Sequence, residues 1–194
     1  MPKLRNRREV IAAGLALAIG GTAMSRSNAA QNWSGKKVLV AYYSRTGHTR
    51  TVAEMIQART GGDLIEIQTV KPYPDDYDAL VAQNVAEQEA NFLPALRTRI
   101  DNIGDYDVVF IGSPLWNVRL TPPVRSFVSS HDLAGMTVAP FVTYIVSHLG
   151  RTQEDIADVA PRAVVLDGLA VLGEKAGEAD GAVARWLNRL QADL

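Results

Sequence analysis

Val38-Leu39-Val40-Ala41-Tyr42-Tyr43 runs directly into Ser44-Arg45-Thr46-Gly47-His48-Thr49. A continuous apolar run of this length, bounded by turn chemistry, reads as a buried parallel strand. The polar segment after it opens a helical pattern in which Val52, Met55 and Ile56 recur on one face. A strand that feeds a short hydroxyl-rich loop and then a helix start makes an anion cradle. The first helix amides lack partners within the helix, and the positive end of the helix dipole points the same way. Ser44, Thr46 and Thr49 add hydroxyl donors, and Gly47 can adopt a backbone conformation closed to other residues. The chemistry suits a phosphate monoester. It is neither the GxGxxG dinucleotide fingerprint nor a loop ending in GK[ST]. Ser and Thr at a helix start also serve as plain caps.

Working outward, the apolar and polar patterns alternate as strand and helix. Thr60-Gly61-Gly62 stops the first helix. Asp63 to Ile67 reads as a second strand with one face less buried, as at a sheet edge. A helix over 78–91 and a less regular segment over 92–106 lead to a third strand, Asp107 to Gly112. Its exit, 113–123, ends in the tandem Pro122-Pro123, which suits the first turn of a helix. Thr137 to Thr143 reads as a fourth strand, with an irregularity expected at Pro140. Ala163 to Leu166 reads as the fifth. Asp180 to Leu190 is a closing amphipathic helix with Val183, Trp186, Leu187 and Leu190 on one face.

Five strands alternating with helices predict an α/β fold, a doubly wound three-layer sandwich around a parallel sheet. Ligands of such sheets sit beyond the carboxyl ends of the strands, where strand order reverses. Loops 44–49, 113–120 and 143–151 all follow strands and so share that edge.

Composition narrows the chemistry. The 194 residues, 47% of them hydrophobic, suffice for one domain with a full core. The chain has no cysteine, which excludes disulfides, thiol catalysis and cysteine metal sites. Its three histidines, His48, His131 and His148, have no metal-ligand spacing. His131 reads as a cation at a helix end, and Asp75, Asp76 and Asp78 as a solvated helix start.

Residues 1–30 differ from the rest: Lys3, Arg5, Arg7 and Arg8, then an apolar Ala- and Gly-rich stretch, then Ser27-Asn28-Ala29-Ala30. This is the layout of an export signal, and Arg7-Arg8 resembles a twin-arginine signal. The expectation is export to a bacterial periplasm. The stretch is short and broken by Gly14, Gly20 and Gly21, so cleavage without a stable membrane span is expected, leaving 31–194 as the folded domain. Without the five basic and one acidic residues of the first 29, fifteen basic and twenty acidic residues remain, a net charge of −5. That balance argues against a nucleic-acid partner.

In combination, several stretches resemble the short flavodoxin-like family. They are Val40 to Thr49, Pro72 to Asp78, Tyr106 to Trp116, Pro122 to Phe127, Val138 to Phe141 and Leu149 to Arg151. The resemblance covers about residues 36–173 and implies a five-stranded sheet of order 2-1-3-4-5 with non-covalent FMN at the switch point. It implies that Ser44, Arg45, Thr46, Gly47, His48 and Thr49 wrap the FMN phosphate. Pro114, Leu115, Trp116 and Asn117 would line the isoalloxazine on one side, with Thr143 and Tyr144 on the other. The chain departs from the family where glycines usually follow the fourth strand: Tyr144-Ile145-Val146-Ser147-His148 stands there instead.

No nucleophile–base pair or acid–base dyad reads near the ring, so an electron carrier serving redox proteins or small electron acceptors is expected. An NAD(P)H-dependent FMN reductase of quinones or flavins, and a flavin-free binding module, are the alternatives. Arg119, Arg151 and His148 are expected on the ring-side edge. There their positive charge would favour reduced anionic flavin and raise its potential.

Overall fold

The computed structural model describes residue 33, residues 35–192 and residue 194. The export signal read at 1–30 lies outside the described residues. β1 (Val38–Tyr42) is buried along its whole length. It pairs in parallel with β2 (Asp63–Glu66) on one side and β3 (Val108–Trp116) on the other. β3 pairs with β5 (Thr137–Tyr144), again in parallel. Beyond β5 lie β6 (Val164–Val165) and β7 (Leu169–Leu172), both parallel to it. β4 (Arg119–Leu120) is a short antiparallel arm folded back on the end of β3. With β4 set aside and β6 and β7 taken as one interrupted strand, the path β2-β1-β3-β5-β6 is the expected 2-1-3-4-5.

The period-2 alternation of β1 divides the core in two. Val38, Val40 and Tyr42 face one side, with Val52 and Ile56 of α1 (His48–Thr60) and Val183, Trp186, Leu187 and Leu190 of α5 (Asp180–Ala192). Leu39 and Ala41 face the other, with Val124 and Phe127 of α3 (Pro122–Ser129) and Ile156 of α4 (Thr152–Val159). Helices on both faces leave every central strand buried, which explains the unbroken apolar runs. α2 (Tyr77–Glu89) starts at Asp76, whose carboxylate accepts the Ala79 amide at 2.9 Å. That is the helix-start role expected for this acidic cluster. His131 follows α3 and places Nδ1 2.7 Å from the Phe127 carbonyl, a helix-end contact.

Two expectations need correction. Pro114, Leu115 and Trp116 are not loop: β3 continues through them, because β4 gives its outer end an antiparallel partner. The irregularity expected at Pro140 falls on its neighbour instead. The carbonyls of Met136, just before β5, and of Val138 within it accept the Val164 and Leu166 amides at 2.9 Å, so alternate residues along this segment address the fifth strand. Pro140 is the next in that series and has no N–H to give. Between the pairs Val138↔Val165 and Phe141↔Leu169, β5 advances three residues and its neighbour four. The missing donor thus coincides with a bulge that splits the fifth strand.

Candidate functional site at the carboxyl edge of the sheet

α1 begins at Gly47, which takes φ 90° and gives the helix no side-chain cap. A side chain there would meet open space, so the constraint is backbone conformation, not crowding. The first helical bond is Thr51 N–H to Gly47 O at 2.9 Å. The amides of the first turn therefore precede the ladder, and α1 has no acidic residue in that turn to answer them. The Ser44 hydroxyl accepts the Gly47 amide at 3.1 Å and shapes the loop from inside. Thr46 Oγ1 lies 3.4 Å from His48 Nδ1, and both side chains are exposed. Below them Thr49 Oγ1 and Thr143 Oγ1 are 2.8 Å apart and buried, joining the start of α1 to the end of β5. Arg45 turns away from this cluster: its guanidinium donates to Asp75 O at 2.7 Å, on the flank formed by the β2–α2 connection.

The β3–β4 hairpin supplies the second wall. Its turn residues Asn117 and Val118 have φ 50° and 58°, the signs of a two-residue type I′ turn. Asn accepts this backbone readily, whereas a β-branched Val there is strained. The turn is held from two directions. Arg119 donates from Nε and Nη2 to Asp155 Oδ1 at 2.9 and 2.6 Å, and Asp155 Oδ2 accepts the Leu120 amide at 2.9 Å. The Val118 carbonyl accepts the Arg151 amide at 2.9 Å. A Cβ at Gly150 (φ 51°) would lie 2.2 Å from that carbonyl oxygen. Gly150 thus lets the segment after the bulky loop pack backbone to backbone against the β3–β4 turn. Arg119 does not present free charge to the edge: the fully buried Asp155 neutralises it.

Trp116 stands in an aromatic cluster. Its ring meets Tyr43 and Tyr73 edge-on at centroid distances of 5.7 and 5.2 Å. α2 braces the cluster from behind. Buried Gln88 donates to the Trp116 carbonyl at 2.8 Å and accepts from Asn117 Nδ2 at 3.3 Å. Glu87 accepts the Tyr73 hydroxyl and, at 2.7 Å, the Gln83 amide. Burial pushes Tyr43 up to about 12, so its hydroxyl stays neutral at ordinary pH. On the third wall, Tyr144 and His148 rings lie 5.5 Å apart, and between them Ile145 and Val146 are 82% and 87% exposed.

The fold therefore brings the three loops to one edge. Pro114, Leu115, Trp116 and Asn117 lie along the hairpin, Thr143 under the cradle, and Tyr144 on the facing loop. The sequence reading missed Gln88 and Asp155, and it marked Gly150 only as part of the family-like stretch Leu149 to Arg151. Leu80, Asn84 and Gln88 recur every fourth residue on α2 and are all buried, so polar residues in a core stripe were the available signal. Asp155 carried no such mark. Among the described residues no group of His, Cys, Asp and Glu could hold a metal ion, and no helix is long and apolar enough to cross a membrane.

A family model described as Flavodoxin matches residues 37–190. A candidate flavoprotein from Bacteroides eggerthii DSM 20697 is 32% identical, with a TM-score of 0.70 covering 79% of this chain and 96% of that one. A second, from Bacteroides uniformis ATCC 8492, is 28% identical, with a TM-score of 0.71 and coverage of 79% and 99%. A flavoprotein from Lactobacillus acidophilus NCFM, solved in complex with FMN, shares the fold at 22% identity, with a TM-score of 0.63 and coverage of 74% and 97%.

Proposed function

This chain belongs to the flavodoxin family, and we propose that it is an FMN-binding electron carrier. The open donor set at Gly47 supports FMN: an uncapped helix start, no first-turn carboxylate and a buried hydroxyl pair beneath it suit a phosphate dianion. Ser44 to Thr49 would hold that phosphate, chiefly through amides and hydroxyls, with Arg45 at the flank. Pro114 to Asn117 would bound the ring on the hairpin side, and Thr143 and Tyr144 on the other. The cofactor supplies the redox chemistry, and the protein orients it and sets its surroundings.

The observation that carries the carrier reading is the apolar tip Ile145–Val146, which stands in solvent beside the ring-side wall. A redox partner, protein or small acceptor, can approach the edge there without the fold opening. We further propose that residues 1–30 export the protein to the periplasm, where such partners would meet it.

Stopped-flow reduction of the FMN-loaded protein tests the assignment. Fast exchange with a one-electron dye and slow reduction by NADH and NADPH are expected. Rapid reduction by either nucleotide would make the protein a reductase. A colourless protein that ignores added FMN would make it a flavin-free module.

A further inference from the structure

A cavity of about 420 Å³ opens beside the cradle, at the carboxyl ends of β1 and β2. It is within the size range of small-molecule sites. Tyr43 and Tyr73 form one wall, with ring centroids 6.2 Å apart, and Pro72 and Pro74 add flat apolar surface. Both tyrosines also touch Trp116, so an aromatic contact runs from this cavity to the ring-side wall.

The charge around it is unbalanced. Arg45 and Arg97 both line the cavity, and their guanidiniums are tied to main-chain carbonyls, Asp75 O at 2.7 Å and Val70 O at 3.3 Å. Among the described residues neither forms an ion pair. Glu66, also in the lining, is already bound by Arg50 at 2.7 Å. Asp75 offers one carboxylate against the two cations. A carbonyl orients a guanidinium without neutralising it, and Arg is suited both to planar carboxylates and to stacking.

We propose that this cavity is a second binding site, separate from the cradle, for a small planar aromatic anion. One tyrosine ring, with Pro72 and Pro74, would take the flat face of the ligand while the other ring, inclined at 62°, meets its edge, and Arg97 with Arg45 would take its carboxylate or equivalent group. The site shares Tyr43 and Arg45 with the flavin side but does not require flavin to be bound.

The test uses the full chain, with and without FMN, and two redox-inert probes of equal shape: 2-naphthoate and neutral 2-naphthamide. Calorimetry gives affinities, and NMR of ring-labelled tyrosine gives the location. Naphthoate should bind more tightly than naphthamide and shift the Tyr43 and Tyr73 signals, in both flavin states. Arg97→Gln should weaken naphthoate about fivefold, the worth of one exposed charge contact, and leave naphthamide and FMN unchanged. Arg97→Lys should restore part of the loss. Equal binding of the two probes, unmoved tyrosine signals or no binding would overturn the proposal. Naphthoate binding to a protein that ignores FMN would uphold this site while rejecting the carrier reading.

Discussion

Thr49 Oγ1 and Thr143 Oγ1 lie 2.8 Å apart, though 94 residues separate them in the chain. The pair locks the first turn of α1 onto the end of β5. It thereby fixes the spacing between the phosphate cradle and the Tyr144 loop. Both residues are buried, so neither hydroxyl can turn to bulk water for a substitute partner. Thr143→Val keeps the shape and orphans Thr49. Stability should fall by about 1–2 kcal/mol, read by urea unfolding. FMN affinity should fall as well, read by quenching of flavin fluorescence. Unchanged FMN affinity would remove the pair from the binding machinery.

The Arg119–Asp155 pair sets the second prediction. Asp155 is fully buried and accepts both the guanidinium and the Leu120 amide. Asp155→Ala strands Arg119 and a main-chain donor together, and should destabilise the fold by about 3–5 kcal/mol. Asp155→Asn keeps shape and should lose less. Chemical denaturation of both variants checks the order, and equal losses would show that the lost charge, not the shape that Asn retains, carries the whole effect.

Val118 sits at φ 58°, in a turn better suited to Asn-Gly. Val118→Gly removes the steric strain, although glycine also loosens the unfolded chain. The net expectation is a gain of roughly 0.5–1 kcal/mol, visible as a higher urea midpoint at unchanged slope. Gly150→Ala should have the opposite effect, because its new methyl would press on the Val118 carbonyl. A neutral Gly150→Ala would show that the 150–151 backbone can retreat from the hairpin.

Tyr43 provides a pH signature. Burial holds its folded pKa up to about 12, against about 10 in an unfolded chain. Folding therefore favours the protonated phenol. Its contribution is fully present below about pH 10 and is lost as pH climbs toward 12. Tyr73, raised by burial and by its bond to Glu87, and Tyr106, raised to about 12 chiefly by burial, act in the same direction. Unfolding free energy should decline from about pH 10 upward, and Tyr43→Phe should flatten part of that decline. The same slope in the variant would mean that the other tyrosines carry the whole effect.

The amino-acid order alone determined the alternation of strands and helices, the exit of β1 into a polar cradle, and the buried face of α5. These are local properties, written as periodicity, turn residues and apolar runs, so each shows within a window of a dozen residues. The edge character of β2 was legible for the same reason, since a strand with one neighbour keeps polar residues on its open side. Only the tertiary structure decided that β3 continues through Trp116, because that depends on β4 folding back as its partner. It also decided that Pro140's missing donor is met by a bulge in a neighbouring strand, and that Arg119's charge is cancelled by Asp155. Gln88 became a brace for Trp116 in the same way. The hairpin partner of β3 lies only three to five residues on, but the other three outcomes rest on a second residue dozens of positions away, brought into contact by the winding of the sheet.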